Sequence, residues 1–213
     1  MFTKEQMIIK IMMIPGILLG FVLHEFAHAL MSDKLGDPTP RSQGRITLDP
    51  RAHIDWLGFI MIVLVGFGWA KPVMTSPRYY KKPRRDDILV SVAGPFMNLL
   101  LAIAFVFLIK IMDVTNAFSS NIELQSNLVQ LLNWSAYINV VLFVLNLLPI
   151  PMFDGYHVIK NLFNTWKYRF FTILEQYGMI IFILLAVSNV LDLILTPLVR
   201  TVFNFVIQIF FQY

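Results

Sequence analysis

Residues 24–28 read His24-Glu25-Phe26-Ala27-His28 inside an otherwise apolar run. Histidines four apart on a helix project from one face, so both imidazoles can grip a single metal ion. Glu25, one residue on, is turned about 100° around the axis, which puts it beside such an ion rather than on it. That is the place for a general base acting on a water nucleophile. The competing reading is a chance match whose side chains turn to water. Location argues against it, because an ionisable residue buried in a membrane span costs about 2.5–3.5 kcal/mol on translocon scales and normally marks function.

Catalytic zinc generally takes three protein ligands and leaves a position for water. The sequence has no cysteine, which excludes thiolate ligands and disulfides but assigns no compartment. The best third ligand is Asp154, in Asn146-Leu147-Leu148-Pro149-Ile150-Pro151-Met152-Phe153-Asp154-Gly155. It ends an apolar segment whose helix Pro149 and Pro151 must disturb. Irregular backbone at membrane depth is tolerated where protein or a polar cavity surrounds it. Alternatively, Asp154 only caps the next helix at the interface. His53 and His157 are secondary candidates, each more readily read as an interfacial or surface histidine.

These residues need a membrane scaffold to position them. The chain is 57% hydrophobic and 14% charged, against about 45–50% and about 25% in soluble domains. The excess lies in several long runs, which predicts an all-α polytopic membrane protein. A run at 7–31 is too long for a signal peptide, lacks a clear cleavage site, and makes a helix of about 37 Å for a bilayer core of about 30 Å. Segments 88–112 and 128–153 are full spans, and 179–195 is a minimal one after a mixed stretch at 170–178. Segment 57–70 is short and carries Gly58, Gly66 and Gly68, as a re-entrant segment would. Beyond Pro197, the residues Arg200, Asn204, Gln208 and Gln212 recur four apart as one polar stripe. That tail is either a last short span or an interfacial helix.

Loop charge sets the expected orientation. Basic residues crowd 32–56, 71–87 and 154–169, whereas 113–127 has none. The first three loops are then cytoplasmic, provided that 57–70 enters and leaves by the same side. Only one crossing separates the first span from 128–153, so these two run parallel. Asp154 thereby reaches the depth of His24 and His28. The net charge of +4 belongs to this pattern. No basic stripe with interleaved aromatics points to nucleic acid, which is not expected as a partner.

The two motifs together resemble those of the site-2 protease family of intramembrane zinc metalloproteases. Gly44-Arg45-Ile46-Thr47-Leu48-Asp49-Pro50 with His53-Ile54-Asp55, Gly68-Trp69-Ala70-Lys71-Pro72-Val73, and Ala93-Gly94-Pro95 with Asn98 also look like its small bacterial branch. The chain is similar to a minimal member without PDZ or CBS domains, with the resemblance covering roughly 16–160. It implies a single integral-membrane domain over 1–213, with a three-helix catalytic core at about 7–160 and variable C-terminal helices at 170–213. It implies one zinc ion held by His24, His28 and Asp154, with Glu25 as base and Asn146 holding the substrate backbone. It also implies a multi-pass protein of the cell membrane whose site opens toward the cytoplasm.

The implied substrates are transmembrane helices of other proteins in the lipid bilayer, which must unwind before attack. An edge strand would help by supplying replacement hydrogen bonds, and the alternating segment 45–49 is the candidate, with a plain polar loop as the other reading. Asn98 with Ser91, Ala93 and Gly94 reads first as close helix packing, and less readily as a polar role near the site. The competing function is a zinc-translocating or metal-sensing membrane protein, which should string ligands across the membrane rather than cluster them at one end. A degenerate scaffold is disfavoured by the intact Glu25 and ligand set. The oligomeric state is left open.

Overall fold

The computed structural model describes residues 3–65 and 68–211, so Gly66 and Gln212 lie outside the described residues. The first helix, α1 (Lys4–Lys34), opens with a reciprocal cap in which Thr3 and Gln6 each accept the other's backbone N–H. Two single turns, α2 (Thr39–Ser42) and α3 (Pro50–His53), lead to the apolar α4 (Trp56–Val65). The long α5 (Pro83–Val114) and α6 (Ile122–Leu147) follow, then α7 (Asp154–Leu162), α8 (Arg169–Gln176), α9 (Gly178–Val187) and α10 (Val190–Gln208). Among the described residues, α1, α5, α6 and α10 are long and apolar enough to cross a membrane, and α8 with α9 forms a pair bent by 64°. The protein is thus an all-α, multi-pass membrane protein.

Helices α1, α5 and α6 form the central bundle. Lipid is as apolar as leucine, so close van der Waals contact and interhelical hydrogen bonds must hold them together. Small residues provide the contact: a Cβ added at Gly16 would lie 2.6 Å from Ser135 Cα, and one at Gly20 would lie 2.8 Å from Asn139 Oδ1. Two buried amides supply the hydrogen bonds. Asn139 Nδ2 donates to Gly16 O at 3.0 Å, and Asn98 Nδ2 donates to Gly20 O at 3.2 Å and to Asn139 Oδ1 at 3.1 Å.

Helix α4 runs out alongside α1, with Phe59 and Ile62 against Ile17 and Phe21, and residues 68–71 lie back at its start. Lys71 N–H donates to His53 O at 2.9 Å, closing the base of the excursion. A Cβ at Gly58 would sit 2.2 Å from Trp69 O, so only glycine lets the outgoing and returning chains touch. Lys10 of α1 donates to Leu64 O at 2.7 Å, pinning the far end of α4.

Two expectations change and a third is met. No strand occurs among the described residues, and 45–49 is a loop. Its polar groups are used locally instead: the Arg45 guanidinium turns inward onto carbonyls, His53 Nε2 bonds Thr47 O at 2.7 Å, and the Asp49 carboxylate caps α3 through Arg51 N–H. The expected span 179–195 is broken at Asn189, whose left-handed φ of 60° starts a new helix. Residues 190–208 consequently form one full-length helix that packs on the bundle, rather than an interfacial tail. Finally, the third span stops at Leu147, and 148–153 is irregular, as Pro149 and Pro151 require.

Candidate metal centre

Helix α1 presents His24 and His28 on one face, one turn apart and both buried. Asp154, the first residue of α7, arrives from the irregular segment after α6. His24 Nε2 and His28 Nε2 lie 3.0 Å apart, and each is 3.3 Å from Asp154 Oδ2. The three ligand atoms fall within 4.8 Å of one another, and this is the one such group of three or more found among the described residues.

The protonation pattern follows from the partners behind the rings. His28 Nδ1 lies 2.8 Å from Val90 O, which can only accept, so that nitrogen carries the hydrogen. His24 Nδ1 lies 2.6 Å from Asn98 Oδ1. The Asn98 amide is itself oriented, because its Nδ2 donates to Gly20 O and Asn139 Oδ1. With both rings neutral, as ligation of a metal requires, their Nε2 atoms present lone pairs to one point. Asp154 Oδ2 is buried and has no hydrogen-bond partner.

Two lone pairs and a carboxylate oxygen converging without a donor between them are mutually repulsive unless a cation joins them. Tetrahedral ligands about 2.0–2.2 Å from zinc stand roughly 3.3–3.5 Å apart, close to the spacings here. The donor set of two imidazoles and one carboxylate is also that of catalytic zinc sites. The residues present fit zinc.

Glu25 is buried next to this cluster, and its Oε2 accepts from Val73 N–H at 2.9 Å. Val73 follows the returning segment, which Arg45 ties down through Ala52 O, Lys71 O at 3.2 Å and Pro72 O at 2.7 Å. Asn146 bonds Leu142 O at 2.9 Å through Nδ2. His24, Glu25 and Asn146 all face one cavity of about 640 Å³, whose other walls include Phe21, Trp69 and Phe182. Lys10 and Asn98 also line it, and the rest of its wall is mainly apolar.

The structure thus brings His24, His28 and Asp154 together and places Glu25 and Asn146 on the shared cavity. His53 is engaged by Thr47 and His157 is exposed, so neither joins the cluster. Asn98 takes both roles that its sequence context allowed: its Nδ2 joins the three helices, and its Oδ1 orients His24. Gly94 shares the packing role: a Cβ there would lie 2.3 Å from His28 Nε2 and 2.6 Å from His24 Nε2. An asparagine buried in a span was signal enough to find Asn98. The Val73 N–H and Val90 carbonyl are backbone groups, and no residue type could announce them.

The model of "Peptidase family M50" matches residues 12–188. The chain is 37% identical over 199 residues to "Putative zinc metalloprotease YwhC" of Bacillus subtilis, covering 91% of this chain and 88% of that protein. It is 30% identical over 202 residues to "Putative zinc metalloprotease Rip2" of Mycolicibacterium smegmatis, covering 92% of this chain and 74% of that one. No solved structure matches it. With a family match over most of its length and relatives similar over about nine tenths of it, the chain belongs to peptidase family M50, the site-2 proteases, and is a membrane zinc metalloprotease.

Proposed function

We propose that this chain is an intramembrane protease that hydrolyses peptide bonds within or near transmembrane helices of other membrane proteins, the step on which regulated intramembrane proteolysis depends. The observation that carries the proposal is the cluster of His24 Nε2, His28 Nε2 and Asp154 Oδ2 beside an apolar cavity that a membrane segment would suit. His24, His28 and Asp154 would hold one zinc ion. When bound, zinc acts as a Lewis acid that lowers the pKa of water toward about 7 and polarises a carbonyl.

The chain's own groups supply the rest. Glu25 takes a proton from the attacking water as its oxygen bonds the scissile carbon. It returns that proton to the leaving nitrogen as the C–N bond breaks. Val73 N–H fixes the Glu25 carboxylate through Oε2, leaving Oε1 for this work. Asn146 would hold the backbone of an unwound substrate from the cavity wall. Residues 1–213 act as one membrane domain with the catalytic core at about 7–160. The basic loops support a site that opens toward the cytoplasm.

A zinc-translocating protein would need further ligands along a path, and the described residues gather their ligand group at one point. The test is purified wild type against Glu25→Gln with a transmembrane reporter. The expected result is equal zinc content with cleavage by wild type alone. Cleavage by zinc-loaded Glu25→Gln would overturn the base assignment, and zinc flux without cleavage would favour transport.

A further inference from the structure

Helix α10 lies beyond the residues matched by the family model. Its inner face packs on the bundle: Leu191 against Leu148, Val199 against Ala102 and Val140, and Val206 against Phe105, Val106 and Ala136. These contacts run α10 antiparallel to α6 and parallel to α5. Nineteen residues span about 28 Å, nearly the thickness of a bilayer core. Val199, and with it Arg200, sits at the level of Ala102 in the middle third of α5.

The outer face carries Asp192, Thr196, Arg200, Asn204 and Gln208, four apart and all exposed. This row follows an i±4 ridge, the line along which a second helix packs. Arg200 makes no hydrogen bond or ion pair among the described residues. A guanidinium at mid-depth facing lipid is costly, and such residues normally face protein. Between transmembrane helices, polar side chains act as the attachment points.

We propose that this stripe is a docking surface for a transmembrane helix of another protein that bears a carboxylate opposite Arg200. The occupant is not a second copy in the same orientation. A two-fold axis along the membrane normal would set Arg200 against its own counterpart, a like-charge pair in low dielectric. Asp192, about 12 Å nearer the start of α10, asks in turn for a basic residue near that end of the partner. Thr196 and Asn204 flank Arg200 with groups that can bond either way. This surface lies outside the catalytic assignments, so it stands or falls independently of them.

The test reconstitutes the full chain in phosphatidylcholine vesicles and measures energy transfer to synthetic Leu/Ala transmembrane peptides with lysine flanks. The peptides carry Asp, Leu or Lys at the centre. Wild type should bind the Asp peptide at least about tenfold more tightly than the Leu peptide. Arg200→Leu should abolish that preference at unchanged zinc content, and Arg200→Glu should transfer it to the Lys peptide. Equal binding of Asp and Leu peptides by wild type would overturn the proposal, whether or not either variant folds. A persistent preference in Arg200→Leu would do the same. A cross-linked dimer of wild type that Arg200→Leu abolishes would assign the surface to a second copy instead.

Discussion

His24 Nδ1 and Asn98 Oδ1 lie 2.6 Å apart, joining α1 to α5 on the side of the imidazole away from Asp154. The bond fixes which nitrogen carries hydrogen and aims the other at the carboxylate. Asn98→Ala is expected to weaken zinc binding by about 10–100-fold, read by competition with a chromogenic chelator. Asn98→Asp keeps an acceptor in place and should lose less. Unchanged affinity in Asn98→Ala would show that the contact does not orient the ring.

Gly94 lets α5 pass close beside the two ligand imidazoles. A methyl group there would stand 2.3 Å from His28 Nε2, closer than any real Cβ contact. Gly94→Ala should lose bound zinc and cleavage together while far-ultraviolet circular dichroism stays helical. Full zinc occupancy in this variant would mean that α1 and α5 can separate locally without cost.

Arg45 acts at a distance, through the segment it holds. Its guanidinium bonds the carbonyls of Ala52, Lys71 and Pro72, and the next residue, Val73, supports Glu25. A misplacement of about 1 Å in such a support can cost about 100-fold in rate. Arg45→Met should lower kcat/KM by that order while zinc content is unchanged. A loss of zinc instead would move the role of Arg45 from the base to the fold.

Asp37, in the loop after α1, gives a pH dependence with a definite sign. Burial works against its ionisation, but hydrogen bonds from Thr39 N–H, Ser76 N–H and the Ser32 hydroxyl outweigh it and hold the carboxyl below the usual carboxylate value. A depressed folded-state value means that the stabilisation is complete above the unfolded-state pKa of about 3.9. It is lost as pH falls through the lower folded value. Asp37→Asn should cost about 1–3 kcal/mol near neutrality, and its deficit should shrink below about pH 4. Thermal unfolding in detergent from pH 3 to 7 reads this directly, and a gap constant with pH would exclude Asp37 as the cause.

Much of the site was legible because its residues are costly where they stand. His24, Glu25 and His28 within an apolar run, and Asp154 after two prolines, declare themselves by type and spacing. The return of 57–70 was legible from its length and glycines. Less legible was anything decided by competition among local partners. The alternation at 45–49 reads as a strand, but the Arg45 side chain finds carbonyls from two other segments, and His53 claims Thr47 O. The break at Asn189 was hidden because Ser188, Asn189 and Asp192 are too few to lower the mean hydropathy of 179–195, and a single left-handed residue leaves no trace in hydropathy. Asn98 was legible as a packing residue from the small residues beside it, but its bond to His24 was not, because that partner lies on a helix distant in sequence.

The amide bridge from Gly16 O through Asn139 and Asn98 to Gly20 O and His24 also bears on how the enzyme acquires its ion. In zinc fingers the ion organises the chain, and its removal unfolds the domain. Here both ligand rings are braced by three helices packed through their own backbones. Loading and chelation then become events of access, reversible in an intact protein. The melting temperature should shift only by ligand linkage, and a stripped enzyme should regain activity on adding zinc without being refolded.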